Sequence, residues 1–302
     1  MHIEKKGMKN MRKIDFLATD GVILNGVLYE SKTKTEKVIL AVHGMASNCF
    51  KKRDEIIAQK ANEAGIDYFC FNNRGSELAK YIQKDTEGKK EKKLGGTSYE
   101  DVLEGYEDIV GALLKIKELG YQNIYLQGHS LGCTKIVYTY NELKEEKEDI
   151  LENIKGIILL SLIDIPSTLK AYLGDNYKKY LALAEEKERE GKRLELMPKE
   201  AFIYPISAKT FLRYAKNNKE IDFAQYGKDT EFERLNHITA PLFMRWGNDN
   251  EMILQEAEEL VTNVNNNMRN PNKDIAYIDG ANHSYTGKEE IVAEQIIKFI
   301  NK

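Results

Sequence analysis

The sequence predicts an α/β protein: a mostly parallel sheet of about eight strands, helices on both faces, and an inserted helical segment. Three observations carry this. Strand-like and helix-like runs alternate from residue 37 to residue 163, and strands that alternate with helices pair in parallel. The run 154–163 is mostly apolar, as a strand covered on both faces requires. After a long helical interruption the strand pattern resumes at residue 241, and the alternation continues to the C-terminus.

The elements follow in order. Residues 13–18 and 22–29 read as two short strands joined by Thr19-Asp20-Gly21, a tight-turn signal, so the chain opens with a β-hairpin. Residues 37–42 are a third strand, followed by His43-Gly44, an amphipathic helix over 51–64 and a helix stop at Gly65. Residues 67–71 form a fourth strand ending in Asn72-Asn73-Arg74-Gly75, and the lysine-rich stretch to Gly96 reads as an exposed loop. Thr97 or Ser98 is placed to cap a long helix with Glu100 and Asp101 in its first turn and apolar Val102, Tyr106, Ile109, Leu113 and Ile116 along one face. A strand at 123–126, a helix at 130–143 and a strand at 154–163 come next. Residues 166–236 are helical, charge-rich and tyrosine-bearing, and read as a helical cap inserted into a core made of residues 1–165 and 237–302. A strand at 241–246, a helix at 251–264, a strand at 274–278 and a helix at 288–300 complete the core, with Glu251 expected to open its helix, where its charge suits the N-terminal dipole.

Composition narrows the function. The chain has 302 residues, 42% hydrophobic and 31% charged, which is ordinary for a globular protein able to bury a core. A net charge of −3 offers no general attraction for nucleic acid or anionic membrane. No apolar run approaches the roughly 18 residues of a spanning helix. The basic residues 1–12 lack the apolar segment of a secretory signal, so cytoplasmic residence is the expectation. Three cysteines without CxxC spacing read as free thiols, and the five histidines form no metal-binding cluster; no cofactor or metal is expected. The lysine and glutamate runs at 89–93 and 185–193 read as solvated surface.

The sharpest motif is Gly128-His129-Ser130-Leu131-Gly132, a GxSxG set between a strand and a helix. A serine hydroxyl is a poor nucleophile unless a tight strand-to-helix turn exposes it beside a base, and small flanking residues let that turn close. Ser130 is therefore the candidate nucleophile.

On these residues the sequence resembles the α/β-hydrolase superfamily along nearly its whole length. The resemblance implies that His43-Gly44-Met45 is the oxyanion loop and that the N–H groups of Met45 and Leu131 receive the charge of the tetrahedral intermediate, with Ala46 the alternative if the register differs by one. His43 itself reads as structural. The family order of serine, acid, histidine places the base in the loop after the last strand, where Gly280-Ala281-Asn282-His283-Ser284 supplies His283. The acid is expected after the penultimate strand, in Trp246-Gly247-Asn248-Asp249-Asn250. The family's usual spacing falls on Asn250, and a carboxylate orients an imidazole far better than an amide, so Asp249 is the expected acid, with Asp164 at the end of the 154–163 strand as the competitor. Arg74 is expected to organise loops near the oxyanion site.

The function implied is a serine hydrolase that cleaves a small to medium carboxylic ester through an acyl-enzyme, without a cofactor, the aromatic residues of the cap shaping an apolar pocket. Thioesterase or peptidase chemistry would use the same residues. A binding scaffold without catalysis is the reading from another class, favoured by Asn250 at the usual acid position.

Overall fold

The chain begins with the antiparallel hairpin of β1 (Met11–Leu17) and β2 (Ile23–Tyr29), reversed at Asp20-Gly21 as the turn signal predicts. The parallel core then builds up through β3 (Lys37–Val42), α1 (Lys52–Glu63) and β4 (Asp67–Asn72). In this computed structural model the residues described are 11–216, 220–223 and 232–302. The expected N-terminal features before residue 11, and the cap positions 217–219 and 224–231, lie outside them.

Two expectations fail in the next stretch. The lysine-rich segment is a second hairpin, β5 (Lys80–Thr86) and β6 (Lys89–Gly95), joined at Glu87-Gly88 with two consecutive positive φ angles of 53° and 86°, as a two-residue hairpin turn demands. Within it only Ile82 and Gly95 are buried, so there is no apolar alternation to betray a strand. Nor do Thr97 and Ser98 cap a helix. Helical backbone starts later, in a 3-10 turn at Val102–Glu104 capped by Asp101, and continues as α2 (Gly105–Glu118). Glu100 turns inward instead and meets Lys135 Nζ at 2.6 Å.

β7 (Asn123–His129), α3 (Leu131–Glu145) and β8 (Ile154–Leu160) follow, close to expectation. Among the described residues between β8 and the next strand lie the α-helices α4 (Ile165–Leu173), α5 (Tyr177–Arg189), α6 (Ala208–Ala215) and α7 (Glu233–Asn236). β9 (Leu242–Gly247), α8 (Ala257–Asn267), β10 (Lys273–Ile278) and α9 (Glu289–Ile300) close the chain. Because α8 starts at Ala257, Glu251 lies in the loop before it and not at a helix N-terminus.

The main sheet has eight strands in the order β1-β2-β4-β3-β7-β8-β9-β10, parallel from β4 through β10 and antiparallel where β1 and β2 join. Alternation along the central strands divides the core. Leu40, Leu126, Ile157, Leu159 and Met244 face one side with Ile109, Leu113 and Ile136 of α2 and α3. Ile39, Tyr125, Ile158, Leu160 and Phe243 face the other with Ile57 of α1 and Val292 and Ile296 of α9. Each fully buried aliphatic side chain stabilises this sandwich by about 1.5–3 kcal/mol relative to exposure. A third cluster, including Leu169, Tyr180, Phe211 and Tyr214, holds α4, α5 and α6 of the β8–β9 excursion together and includes Leu131 at the start of α3. The C-terminal ends of β3, β7, β8, β9 and β10 therefore share one edge, where loops can converge.

Candidate active site

Ser130 sits between β7 and α3 with φ 54° and ψ −125°, a conformation that few side-chain-bearing residues adopt. Close packing enforces it. A Cβ on Gly132 would lie 2.1 Å from the Val42 carbonyl oxygen, and one on Gly128 would lie 2.6 Å from the Cys133 nitrogen. The two glycines of the motif are thus required by backbone contact, and the turn they permit places Ser130 at the N-terminus of α3. Cys133 N–H closes the turn on the Ser130 carbonyl at 2.9 Å, and Ser130 N–H bonds to Leu160 of the neighbouring strand at 2.9 Å.

The loop after β3 packs directly beside this turn; a Cβ on Gly44 would lie 2.9 Å from Ser130 Cβ. His43 is buried, its Nδ1 bonded to the Gly44 carbonyl at 2.8 Å and its Nε2 accepting from Asn73 N–H at 3.3 Å. Burial and the nearby charge of Lys135 pull its pKa down to about 3, so it holds the loop as a neutral ring. The N–H of Ala46 is committed to Thr97 Oγ1 at 2.7 Å, and that hydroxyl donates onward to the Gly75 carbonyl at 3.0 Å. Among the described residues no protein acceptor engages the N–H of Met45 or of Leu131. Between the two registers considered for the loop, the occupied Ala46 N–H leaves Met45 as the available donor.

His283 lies in the loop between β10 and α9, its ring centroid 5.0 Å from that of His129. The His283 carbonyl accepts from His129 Nε2 at 2.7 Å. Burial, followed by the positive charge of Arg53, lowers the His129 pKa far below the usual histidine value, so a neutral ring anchors the His283 backbone.

The carboxylate against His283 Nδ1 belongs to Glu251. This corrects the expected acid. Asp249 is exposed, its N–H held by the Ala281 carbonyl at 2.9 Å and its Oδ1 accepting from the Asn250 amide at 3.0 Å. Asp164 is buried but caps α4, accepting from Ser167 N–H at 3.2 Å. The reason lies in the loop backbone. Asn248 is tied to the far side, bonding to Asp279 Oδ1 and Gly280 N–H, and Asn250 then takes φ 48°, a left-handed turn that brings Glu251 back over the sheet. Sequence reasoning named Glu251 but gave it to a helix; the usable signal was that a glutamate reaches one methylene further and so can serve from one residue beyond the usual position.

Glu251 is saturated with donors. Its Oε1 receives His283 Nδ1 and Met252 N–H (3.0 Å), and its Oε2 receives Gly247 N–H (2.9 Å) and the Ser161 hydroxyl (2.7 Å). Its side chain is 2% exposed, and burial alone would raise its pKa. The bonds from His283, Gly247 and Ser161 outweigh burial and hold it below the usual glutamate value. An ionised Glu251 keeps the proton on His283 Nδ1 and leaves Nε2 free to accept another. Ser161, missed in the sequence, stands at φ 51° with its N–H on the Arg245 carbonyl at 2.7 Å.

Arg74 differs from its expected place. It joins α2 to the first hairpin turn, 2.7 Å from Asp108 and 2.9 Å from Asp20, while its neighbour Asn73 contacts His43 in the loop after β3 and Gly75 reaches that loop only through Thr97.

Met45, Ser130, Leu131 and His283 all line one pocket of about 490 Å³. Its apolar wall includes Ile163, Ile165, Leu169 and Phe202 from the end of β8 and the helical excursion, and Lys51, Lys52 and Arg53 lie on another part of the wall. Among the described residues no group of His, Cys, Asp and Glu side chains is placed to hold a metal ion, and no helix is long and apolar enough to cross a membrane.

A family model described as "Protein of unknown function (DUF1749)" matches residues 94–301. No curated protein matches the chain in sequence. Solved structures do resemble it. Est1E from Butyrivibrio proteoclasticus, with ferulic acid bound, is 18% identical with a TM-score of 0.65 over 95% of this chain and 97% of its own. A soluble variant of monoglyceride lipase from Saccharomyces cerevisiae, bound to a substrate analogue, is 14% identical with a TM-score of 0.63 over 98% and 97%. The Pyrococcus furiosus esterase PF2001 is 15% identical with a TM-score of 0.58 over 97% and 90%. Their likeness to this chain is that of the α/β-hydrolase fold.

Proposed function

The chain belongs to the DUF1749 family and has the α/β-hydrolase fold, and from that premise we propose that it is a serine hydrolase acting on carboxylic esters. One observation carries the reading: a buried carboxylate with every acceptor site filled holds His283 Nδ1, in the pocket that Ser130 also lines. A binding module has no chemical need for such an arrangement, and with Glu251 against the imidazole, Asn250 no longer favours a scaffold without catalysis.

In this mechanism His283 Nε2 takes the Ser130 proton as Oγ adds to the ester carbonyl carbon. The carbonyl oxygen becomes an oxyanion that Met45 N–H and Leu131 N–H receive, each such donor lowering the barrier by roughly 3–4 kcal/mol. Collapse expels the alcohol, which takes the proton back from His283, and leaves an ester of Ser130. Water, deprotonated by the same histidine, then releases the acid and restores Ser130. Glu251 stays ionised throughout and stabilises the imidazolium. The helical excursion, 166–236, acts as the cap over this site, and its apolar residues take the hydrophobic part of the substrate.

The test is labelling by a fluorophosphonate probe together with hydrolysis of short-chain p-nitrophenyl esters. The wild type should label and turn over, and Ser130→Ala should do neither. A wild type that neither labels nor hydrolyses any ester would overturn the reading.

A further inference from the structure

The pocket is not uniformly apolar. Against Glu289, the one carboxylate among the described residues of its lining, stand the cationic side chains of Lys51, Lys52 and Arg53, all at the start of α1. Arg53 is the unusual member. It is only 5% exposed, although arginine is seldom buried without full pairing. Its Nε and Nη2 bond to Asp54 Oδ1 at 3.2 and 3.1 Å, with Nη2 also 3.3 Å from Oδ2. Asp54 is in turn fixed by the Tyr68 hydroxyl at 3.2 Å. The guanidinium plane is thus held on one edge, while Nη1 meets no protein acceptor among the described residues. Lys51 has no ion pair among them either, and Lys52 reaches Glu289 only at 3.5 Å.

We infer that this wall is an anion subsite, and that the ester substrate carries a carboxylate which Arg53 and Lys51 receive while its apolar body lies against Ile163, Ile165 and Phe202. The inference rests on the hydrolase reading and adds the substrate class to it. A structural ion pair alone would account for Asp54, but not for a guanidinium placed in the wall of the Ser130 pocket with a donor to spare. Arginine suits the task because it is always charged and its planar fork orients a carboxylate, whereas the exposed lysines add attraction that salt screens. The first turn of α1 has no side-chain cap, so its N–H groups add to the same positive field.

The experiment compares matched esters differing only in one charge: mono-p-nitrophenyl glutarate against p-nitrophenyl pentanoate for an anion on the acyl side, and 4-butyryloxybenzoate against 4-butyryloxybenzamide for one on the leaving side. In at least one pair the wild type should favour the anionic member about tenfold or more in kcat/KM, the scale of one charge-assisted hydrogen bond. Arg53→Gln should collapse that ratio, Lys51→Gln/Lys52→Gln should lower it about two- to threefold, and raising the salt should lower it in the wild type. The lysine variant and the salt series decide the matter if Arg53→Gln does not fold. Hydrolysis of the neutral esters with no charge preference in either pair, or a preference untouched by these changes, would sink the subsite while leaving the hydrolase intact. Absence of turnover and labelling on every ester would sink the hydrolase reading itself.

Discussion

Glu251 and Asp164 both lie buried near the carboxyl ends of the central strands, yet their environments push them in opposite directions. Glu251 accepts from four donors, and its pKa lies below the usual value despite burial. Asp164 accepts from Ser167 at Oδ1, its Oδ2 has no hydrogen-bond partner among the described residues, and burial together with the nearby charge of Asp222 pushes its pKa up to about 6. Burial is common to both. What separates them is the number of donors supplied and the sign of the nearest charge, Asp222 beside Asp164 and the His283 imidazole beside Glu251, which decide whether a desolvated carboxylate stays ionised. Only an ionised one can hold an imidazole proton and stabilise an imidazolium, so the difference also separates the carboxylate proposed as triad acid from a helix cap.

The sharpest way to break that comparison is to remove each charge in turn. Glu251→Gln should lower kcat/KM by about 10³- to 10⁴-fold, because an amide holds the wrong tautomer and leaves the imidazolium unsupported. Asp164→Asn should change it less than about threefold, and Asp249→Asn less than about twofold. A large loss in either aspartate variant, with little in Glu251→Gln, would return the acid to one of the positions first expected.

Stability against pH gives the next largest effect. A folded chain that keeps the Asp164 proton up to about pH 6, when the unfolded chain releases it near 3.8, binds more protons over that window, so its stability falls as pH rises through it. Asp164→Asn removes the dependence. Melting curves should therefore show the variant gaining on the wild type by about 2 kcal/mol between pH 4 and 7. Glu251 has the opposite sign: its lowered pKa adds stability above the usual glutamate range that is lost as pH falls through the folded value. A constant difference between Asp164→Asn and wild type across the window would contradict the contrast.

Ser161→Ala sharpens it at the smallest scale. Removing one of four donors should lower stability by about 1 kcal/mol and kcat/KM by about tenfold or less, well short of Glu251→Gln. Equal losses in the two variants would mean that Glu251 acts through Ser161 and not directly on His283.

The first hairpin, the parallel sheet and the turn at Ser130 were legible because each depends on neighbours in sequence, whereas His283 was expected from the chain order of the α/β-hydrolases that the sequence resembles. Strand alternation, helix periodicity and glycines that let two backbones approach are properties of a few consecutive residues, and the contacts of Gly128 and Gly132 are met within the turn and on the adjacent strand. The β5–β6 hairpin was missed for the complementary reason, since strands wetted on both faces show no alternation. The acid was misread because four consecutive positions in one loop, Asn248 to Glu251, offer polar side chains, and spacing cannot say which one the chain turns inward.

By itself, then, the sequence determined the elements and their parallel assembly, since short-range sterics and hydrophobic periodicity are written into adjacent residues. Ser130 stood out as candidate nucleophile by its turn motif, and His283 as candidate base only through the resemblance to the α/β-hydrolases. Only the tertiary structure decided that Glu251 meets His283, that Ser161 and Gly247 keep it charged, and that Arg53 stands in the wall of the Ser130 pocket. Those outcomes depend on how segments separated by 30 to 160 residues pack, through the left-handed turn at Asn250, the contact of β9 with β10 and the docking of α1 beside the loop after β3, none of which any local pattern encodes.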